Sequence, residues 1–232
     1  MNVLVACEES QAVTKEFRRL GHNAFSCDVI ECSGGHPEWH IQQNVLPLLN
    51  GRCEFTTLDG VTHMISDRWD MIIAHPPCTY MSKAGARWMY PGGVLDEIRF
   101  SKAMAARSFF EKIQNADCER IAIENPVPLK IVALPQWTQK IQPYEFGEPF
   151  SKATCLWLKN LQPLKPTAIL SSFKPYIPSN TGAFSKGKKG SYGASPYRSR
   201  SKTFRGIAKA MAEQWGGDIN EINTMQDDTP AP

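Results

Sequence analysis

The 232-residue chain has no run of about 18 apolar residues, so no ordinary membrane-spanning helix is expected. Its amino terminus, MNVLVACEES, carries no basic flank and reaches acids at Glu8 and Glu9, which argues against a signal peptide. Its 17 prolines and 16 glycines are too few for a collagen-like or disordered chain. The 7 cysteines are odd in number and irregularly spaced, which is no disulfide framework and points to a reducing, cytoplasmic compartment. No internal repeat is present. What remains is a chain long enough to bury one full core and too short for two generous domains.

Acid is missing where base is concentrated. Residues 149–212 hold 12 Lys and Arg and no Asp or Glu, whereas residues 1–148 hold 14 against 18. Residues 213–232 hold five acids and no base, so a formal net charge of +3 conceals a strongly basic block. Such a block is the footprint of a polyanion partner or, alternatively, a solvated and flexible loop.

The chain alternates apolar runs with helical patterns. Val3-Leu4-Val5-Ala6, Ala24 to Asp28, Trp69 to Ala74 and Ile121-Ala122-Ile123 read as strands, and Lys152 to Leu158 as a further one. Ser10 is the expected N-cap of a helix carrying Val13, Phe17 and Leu20, closed by Gly21. Residues 94–115 predict a long helix with Ile98, Ala105, Phe109 and Ile113 on its apolar face. Thr203 is the expected cap of a last helix with Phe204, Ile207, Ala208, Met211 and Trp215 on one stripe. Residues 1–165 are thus expected to form a catalytic core, 166–202 a basic loop, 203–217 a closing helix and 218–232 an acidic tail.

The fold class implied is α/β, a doubly wound and mostly parallel sheet. Ligands in such sheets gather beyond the carboxyl ends of the strands. The residues just past those ends are Cys7 to Ser10, Asp28, His75 to Cys78, and Glu124 to Pro126. Two prolines stop the strand before Cys78 and present it on a stiff turn, while Glu124 ends the neighbouring core strand. A sulfur nucleophile beside a carboxyl group is a working site for attack on an electron-poor ring.

The Pro77-Cys78 and Glu124-Asn125 pair, in this order and spacing, resembles the DNA cytosine-5 methyltransferase family, in its short phage or prophage form. The resemblance covers most of residues 1–130, with residues 206–216 similar to the family's closing motif. It implies a Rossmann-like fold of the S-adenosylmethionine-dependent methyltransferase type. It also implies S-adenosylmethionine as methyl donor, DNA as partner, Cys78 as a thiolate adding to C6 of cytosine, and protonated Glu124 donating to N3. Cofactor contacts fall on Ala6, Cys7, Glu8 and Ser10 in the first strand-turn-helix, on Asp28 for the ribose, and on Val29, His75 and Pro76. Asn44 stands where the family reads the adenine amino group. Lys152, or Arg198 and Arg200, stand in for the family's arginine near the base. The first loop, Ala6 to Ser10, lacks the family's glycines. Lys186, Lys188, Lys189, Arg198 and Arg200 are expected to contact DNA phosphates without reading sequence. The region available for target recognition is small. Residues 83–93, with Trp88 and Tyr90, are placed to close over a flipped base.

An amino methyltransferase acting on adenine N6 or cytosine N4 is the rival enzyme, disfavoured because Cys78 stands where its stacking aromatic should be. A DNA-binding relative without catalysis is the rival non-enzyme. Cys27, Cys32, His36 and His40 have zinc-compatible spacing, C-x4-C-x3-H-x3-H. The bland reading puts Cys27 against the core and both histidines on the surface.

Overall fold

The structure is a computed structural model that describes residues 1–176 and 202–217. Eleven strands occur in chain order among these residues: β1 (Asn2–Ala6), β2 (Asn23–Asp28), β3 (His40–Gln42), β4 (Cys53–Thr56), β5 (Thr62–Ile65), β6 (Met71–Ala74), β7 (Ile121–Pro126), β8 (Gln139–Ile141), β9 (Phe150–Ser151), β10 (Thr154–Lys159) and β11 (Lys174–Pro175). The helices are α1 (Ala12–Arg19), α2 (Ala86–Met89), α3 (Glu97–Gln114) and α4 (Arg205–Met211), the last extended by a π turn over Ala212–Gly216.

Seven strands form the central sheet in the order β3-β2-β1-β6-β7-β10-β8. β3, β2, β1, β6 and β7 run parallel, and β10 is antiparallel to both β7 and β8. Counting only these seven, the order is 3-2-1-4-5-7-6 with the seventh reversed, the methyltransferase type of Rossmann-like fold. The chain turns one way from β1 to β2 and the other way to β6, so the crevice past β1 and β6 is the switch point.

Side chains alternate between two apolar faces along each strand. Leu4, Ala6, Ile72, Ala74, Ile121 and Ile123 pack with Phe110 and Ile113 of α3 and with Phe55 and Ile65 of the β4–β5 hairpin. Val3, Val5, Met71, Ile73 and Ala122 pack with Val13 and Phe17 of α1 and with Ile207, Ala208, Met211 and Trp215 of α4. The stripe expected on the last helix is therefore the one that docks. Close approach there depends on Gly206, whose missing Cβ would run into the carbonyl group of Phe146.

Several local expectations are corrected. Ser10 is not the cap of α1: the N-cap is Gln11, in a left-handed conformation at φ 56°, and the Gln11 side chain makes no capping hydrogen bond. Thr203 does not cap α4, whose N-cap is Phe204. α3 starts at Glu97 behind Asp96, whose carboxylate accepts from Arg99 N at 2.8 Å. Its buried residues are Ala103, Phe110 and Ile113, while Ile98 is 73% exposed. The ladder of β7 runs through Glu124 and Asn125 to Pro126 rather than ending before them. Residues 83–93 form short helical turns that bury Met89 and leave Trp88 and Tyr90 exposed.

Candidate active site

The register of the parallel sheet builds the site. Ala74 pairs with Ile123, so the residue after each, His75 and Glu124, stand side by side beyond the switch point. The backbone N–H of His75 donates to Ala6 O at 2.9 Å and ties this point to β1. Pro76 and Pro77 have no N–H to continue the ladder, so the chain leaves the sheet here. Asn125 clamps the departing segment, its amide donating to Pro76 O at 2.8 Å. The carbonyl of Cys78 then accepts from Met81 N and Ser82 N at 3.1 and 2.9 Å, closing a tight turn. Met81 is fully buried with Met89, Ala103, Leu129 and Val132, so the cysteine loop is anchored at both ends.

His75 Nδ1 and Glu124 Oε2 lie 2.9 Å apart, with side chains only 7% and 11% exposed. Burial alone would push the histidine down and the carboxyl up, towards two neutral groups. The shared hydrogen bond and mutual charge override that burial. His75 is held above the usual imidazole range, aided by Glu8, and Glu124 below the usual carboxyl range, aided by Lys152. Both directions favour a proton on His75 over one on Glu124. At Cys78, burial and then the negative charge of Glu124 push the thiol up, with Lys152 pulling the other way.

Lys152 lies between β9 and β10, where its N–H donates to Gln142 Oε1 at 2.9 Å. Its ammonium is 5.9 Å from the Tyr176 ring centre and 5.8 Å from that of Phe204. Those rings pack edge-on at 4.7 Å, and Tyr176 also packs edge-on against Phe150. Thr203 reaches the same place, its Oγ1 3.5 Å from His75 Nδ1. The structure therefore brings together Cys78, Glu124, His75 and Lys152. Two buried polar atoms at these strand tips have no hydrogen-bond partner among the described residues: His75 Nε2 and Asn125 Oδ1. Sequence reasoning did not single out Asn125 as a clamp or His75 as the partner of Glu124.

The first loop does without glycine but adopts glycine-like backbone. Cys7 at φ 59° and Gln11 at φ 56° occupy the left-handed region. Glu8 is spent on the fold: its carboxylate accepts from Val13 N at 2.6 Å, Thr14 N at 3.2 Å and Thr14 Oγ1 at 2.7 Å. These are the donors that head α1, so the Glu8 carboxylate supplies the cap that Ser10 was expected to supply, with both of its oxygens engaged by the fold. Gln11, fully buried and not anticipated from sequence, donates to His36 O at 2.8 Å and Ser26 Oγ at 3.2 Å. It accepts from His36 N at 3.1 Å and so pins residues 26–36 against the loop. Burial raises the Cys7 thiol strongly.

At the tip of β2, burial raises the Asp28 carboxyl against hydrogen bonds from the Ile30 and Val29 backbone. Val29 beside it is 68% exposed. A half-buried acid flanked by an open apolar side chain suits a ribose diol and an adenine face, so this tip fits the nucleoside part of S-adenosylmethionine. Asn44 is exposed past β3, its Oδ1 accepting from Leu46 N at 3.0 Å.

Of the zinc-compatible set, Cys27 is buried with its thiol on Gln43 O, and His40 is buried rather than on the surface. Both ring nitrogens of His40 are engaged, by Ser26 Oγ at 2.8 Å and Ile30 O at 2.9 Å. Among the described residues no group of three or more His, Cys, Asp or Glu is arranged to hold a metal. Lys186, Lys188, Lys189, Arg198 and Arg200 lie outside the described residues, as do most of the expected basic loop and the acidic tail. Among the described residues no helix is long and apolar enough to cross a membrane.

No protein-family model and no curated protein matches the chain. Among solved structures it is similar to one from E. coli described as a "putative DNA modification methyltransferase encoded within prophage", at 16% identity and a TM-score of 0.40. The match covers 73% of this chain and 51% of that one, so the chain spans about half the length of that structure. The order and direction of the seven central strands define the fold independently of it.

Proposed function

We propose that this chain transfers a methyl group from S-adenosylmethionine to C5 of a cytosine in DNA, through a covalent bond between Cys78 and C6. The supporting observation is the convergence of Cys78, Glu124 and Lys152 at the tips of adjacent strands beside the switch point, with each charge acting on the others. Asp28 and Val29 would hold the nucleoside of the donor, with Asn44 near the adenine and the backbone of Ala6 and Cys7 along the methionine part. When bound, S-adenosylmethionine supplies an electrophilic methyl group.

The protein's own residues do the rest. Cytosine is a poor acceptor for sulfur until N3 is protonated, because only then can the ring take up the electron pair. As the S–C6 bond forms, the thiol loses a proton and N3 gains one, with the Glu124 carboxyl group as carrier between them. C5 becomes nucleophilic and is methylated. Loss of the C5 proton to solvent and cleavage of S–C6 then restore the aromatic ring, and the N3 proton returns through Glu124 to sulfur. Lys152 stabilises negative charge on sulfur in the bond-making and bond-breaking steps. A base inside a duplex is out of reach of such a site, so the target is flipped out or already unpaired. The five basic side chains between 186 and 200 hold the phosphate backbone.

The test is trapping on DNA of random sequence containing 5-fluorocytosine, with S-adenosylmethionine present. Fluorine at C5 blocks the final elimination, so the adduct accumulates. A covalent complex with the natural chain that is absent in Cys78→Ala is the expected result. Methyl transfer to adenine with no adduct would replace this reading by amino methylation.

A further inference from the structure

Glu124, the carboxyl group assigned to the substrate ring, is hydrogen-bonded to a second buried titratable group, His75, and this has a chemical consequence. His75 is the first residue after β6 and Glu124 sits opposite it in register, so the fold fixes their pairing rather than side-chain flexibility. The two are 2.9 Å apart, the histidine side chain is 93% buried by its 7% exposure, and Nε2 has no hydrogen-bond partner among the described residues. The groups that face His75 come from every surrounding element. Glu124 is on β7, Glu8 on the loop after β1, Lys152 ahead of β10, and Thr203 ahead of α4.

We infer that His75 is a positioning residue that stores the proton Glu124 delivers to the substrate ring, so that the true acid of the site is a buried imidazolium acting through a carboxylate. This inference rests on the cytosine-5 reading above and deepens it. The step balances. Glu124 gives a proton to N3 and takes the Nδ1 proton of His75, leaving a neutral imidazole. The proton lost from Cys78 as S–C6 forms refills the pair through Glu124. On elimination the sequence reverses, and the only proton released to solvent is the one from C5. Without His75, Glu124 has to take its proton from solvent, and that supply falls as the pH rises. The electrostatics agree with the geometry in direction, since the pairing lowers the Glu124 carboxyl and raises the His75 imidazole against burial.

Two measurements on the full chain test this. The first is the single-turnover rate of adduct formation on random-sequence DNA containing 5-fluorocytosine, followed from pH 5.5 to 8.5 for the natural chain and His75→Gln. Glutamine keeps a hydrogen-bond donor towards Glu124 but stores no proton. The expected loss in His75→Gln is roughly 100-fold at pH 8 and tenfold or less at pH 5.5, where Glu124 is protonated from solvent. The same loss at every pH, or none, overturns the relay and assigns His75 a purely structural role. No adduct with the natural chain at any pH overturns the cytosine-5 reading itself, so the two failures are distinct. The second is nitrogen NMR of the ring of His75, assigned by its disappearance in His75→Gln. The imidazole stays doubly protonated beyond the ordinary histidine range in the natural chain and becomes neutral in Glu124→Gln, where burial is unopposed. A neutral ring in the natural chain at pH 6, or a titration indifferent to Glu124→Gln, overturns the inference without reference to activity.

Discussion

Glu8 gives the sharpest separation between a structural and a ligand-binding role. Its carboxylate receives Val13 N, Thr14 N and Thr14 Oγ1, and Glu8, Val13 and Thr14 are all buried. In Glu8→Ala the three donors lose their acceptor. Loss of a helix cap alone costs about 1–2 kcal/mol. Each additional buried donor left unmet costs about 1–3 kcal/mol, offset in part by water entering the space. The sum is a destabilisation of about 3–5 kcal/mol, which at ~2–4 °C per kcal/mol for a chain of this size lowers Tm by roughly 10 °C. Glu8→Gln keeps one acceptor oxygen but turns an amide NH2 towards N–H donors, so about half of that loss is expected. Urea unfolding followed by far-ultraviolet circular dichroism measures both. A change under about 1 kcal/mol in Glu8→Ala would refute the capping argument. So would a Glu8→Gln variant of unchanged stability whose affinity for S-adenosylmethionine collapses, because that is the behaviour of a cofactor ligand.

Other expectations follow from the same geometry. Alkylation of Cys78 by iodoacetamide is slow at neutral pH, slows further in Lys152→Met and quickens in Glu124→Gln, because Lys152 lowers and Glu124 raises the thiol beneath a larger effect of burial; mass spectrometry of the labelled peptide checks the order, and the opposite order in the two variants contradicts it. Gly206→Ala drives a Cβ into the Phe146 carbonyl group and costs about 2–3 kcal/mol in thermal or urea unfolding, since backbone cannot step aside as a side chain can. The stability contributed by the His75–Glu124 pair is present below 6.5 for the raised histidine and is lost as pH rises through its folded value; for the lowered carboxyl it is present above 4.5 and is lost as pH falls through its folded value. The difference in unfolding free energy between the natural chain and His75→Gln is therefore largest between pH 4.5 and 6.5 and shrinks above neutrality, and a flat difference would mean no coupled pair. Replacing Lys186, Lys188, Lys189, Arg198 and Arg200 together should reduce the slope of log affinity for DNA against log salt by up to about four.

The central strands were legible because β1, β6 and β7 are buried on both faces and so read as unbroken apolar runs. The β4–β5 hairpin was missed although Asp59-Gly60 stands in its turn with Gly60 at φ 88°, because its strands are short and half exposed. β8 has three residues at the edge of the sheet and leaves almost no periodic signal. The apolar face of α3 was misphased. Its central and final turns meet the sheet through Phe110 and Ile113, Ala103 packs on the cysteine loop, and neither partner is visible from the helix alone. At α1 the cap came from Glu8, five residues before the N–H it receives, rather than from a Ser at the usual spacing.

In the site, the positions were readable and the direction of the electrostatics was not. Each of Cys78 and Glu124 follows an apolar run, and strand-end logic alone places both at one sheet edge. Their protonation depends on a third and a fourth side chain brought in from elsewhere in the chain. Taken alone, a buried carboxyl is pushed towards neutrality, which is the state the family resemblance implies for Glu124. The register brings His75 to the same depth at 2.9 Å, and Lys152 adds a second positive group, so the carboxyl is pulled below its usual range rather than above it. The same neighbours set the electrostatics of the sulfur: beneath a larger effect of burial, Glu124 raises the Cys78 thiol and Lys152 lowers it. A proton taken up by the Glu124 carboxyl removes the negative charge that opposes ionisation of the sulfur, so protonation of the carboxyl and attack by the sulfur favour one another.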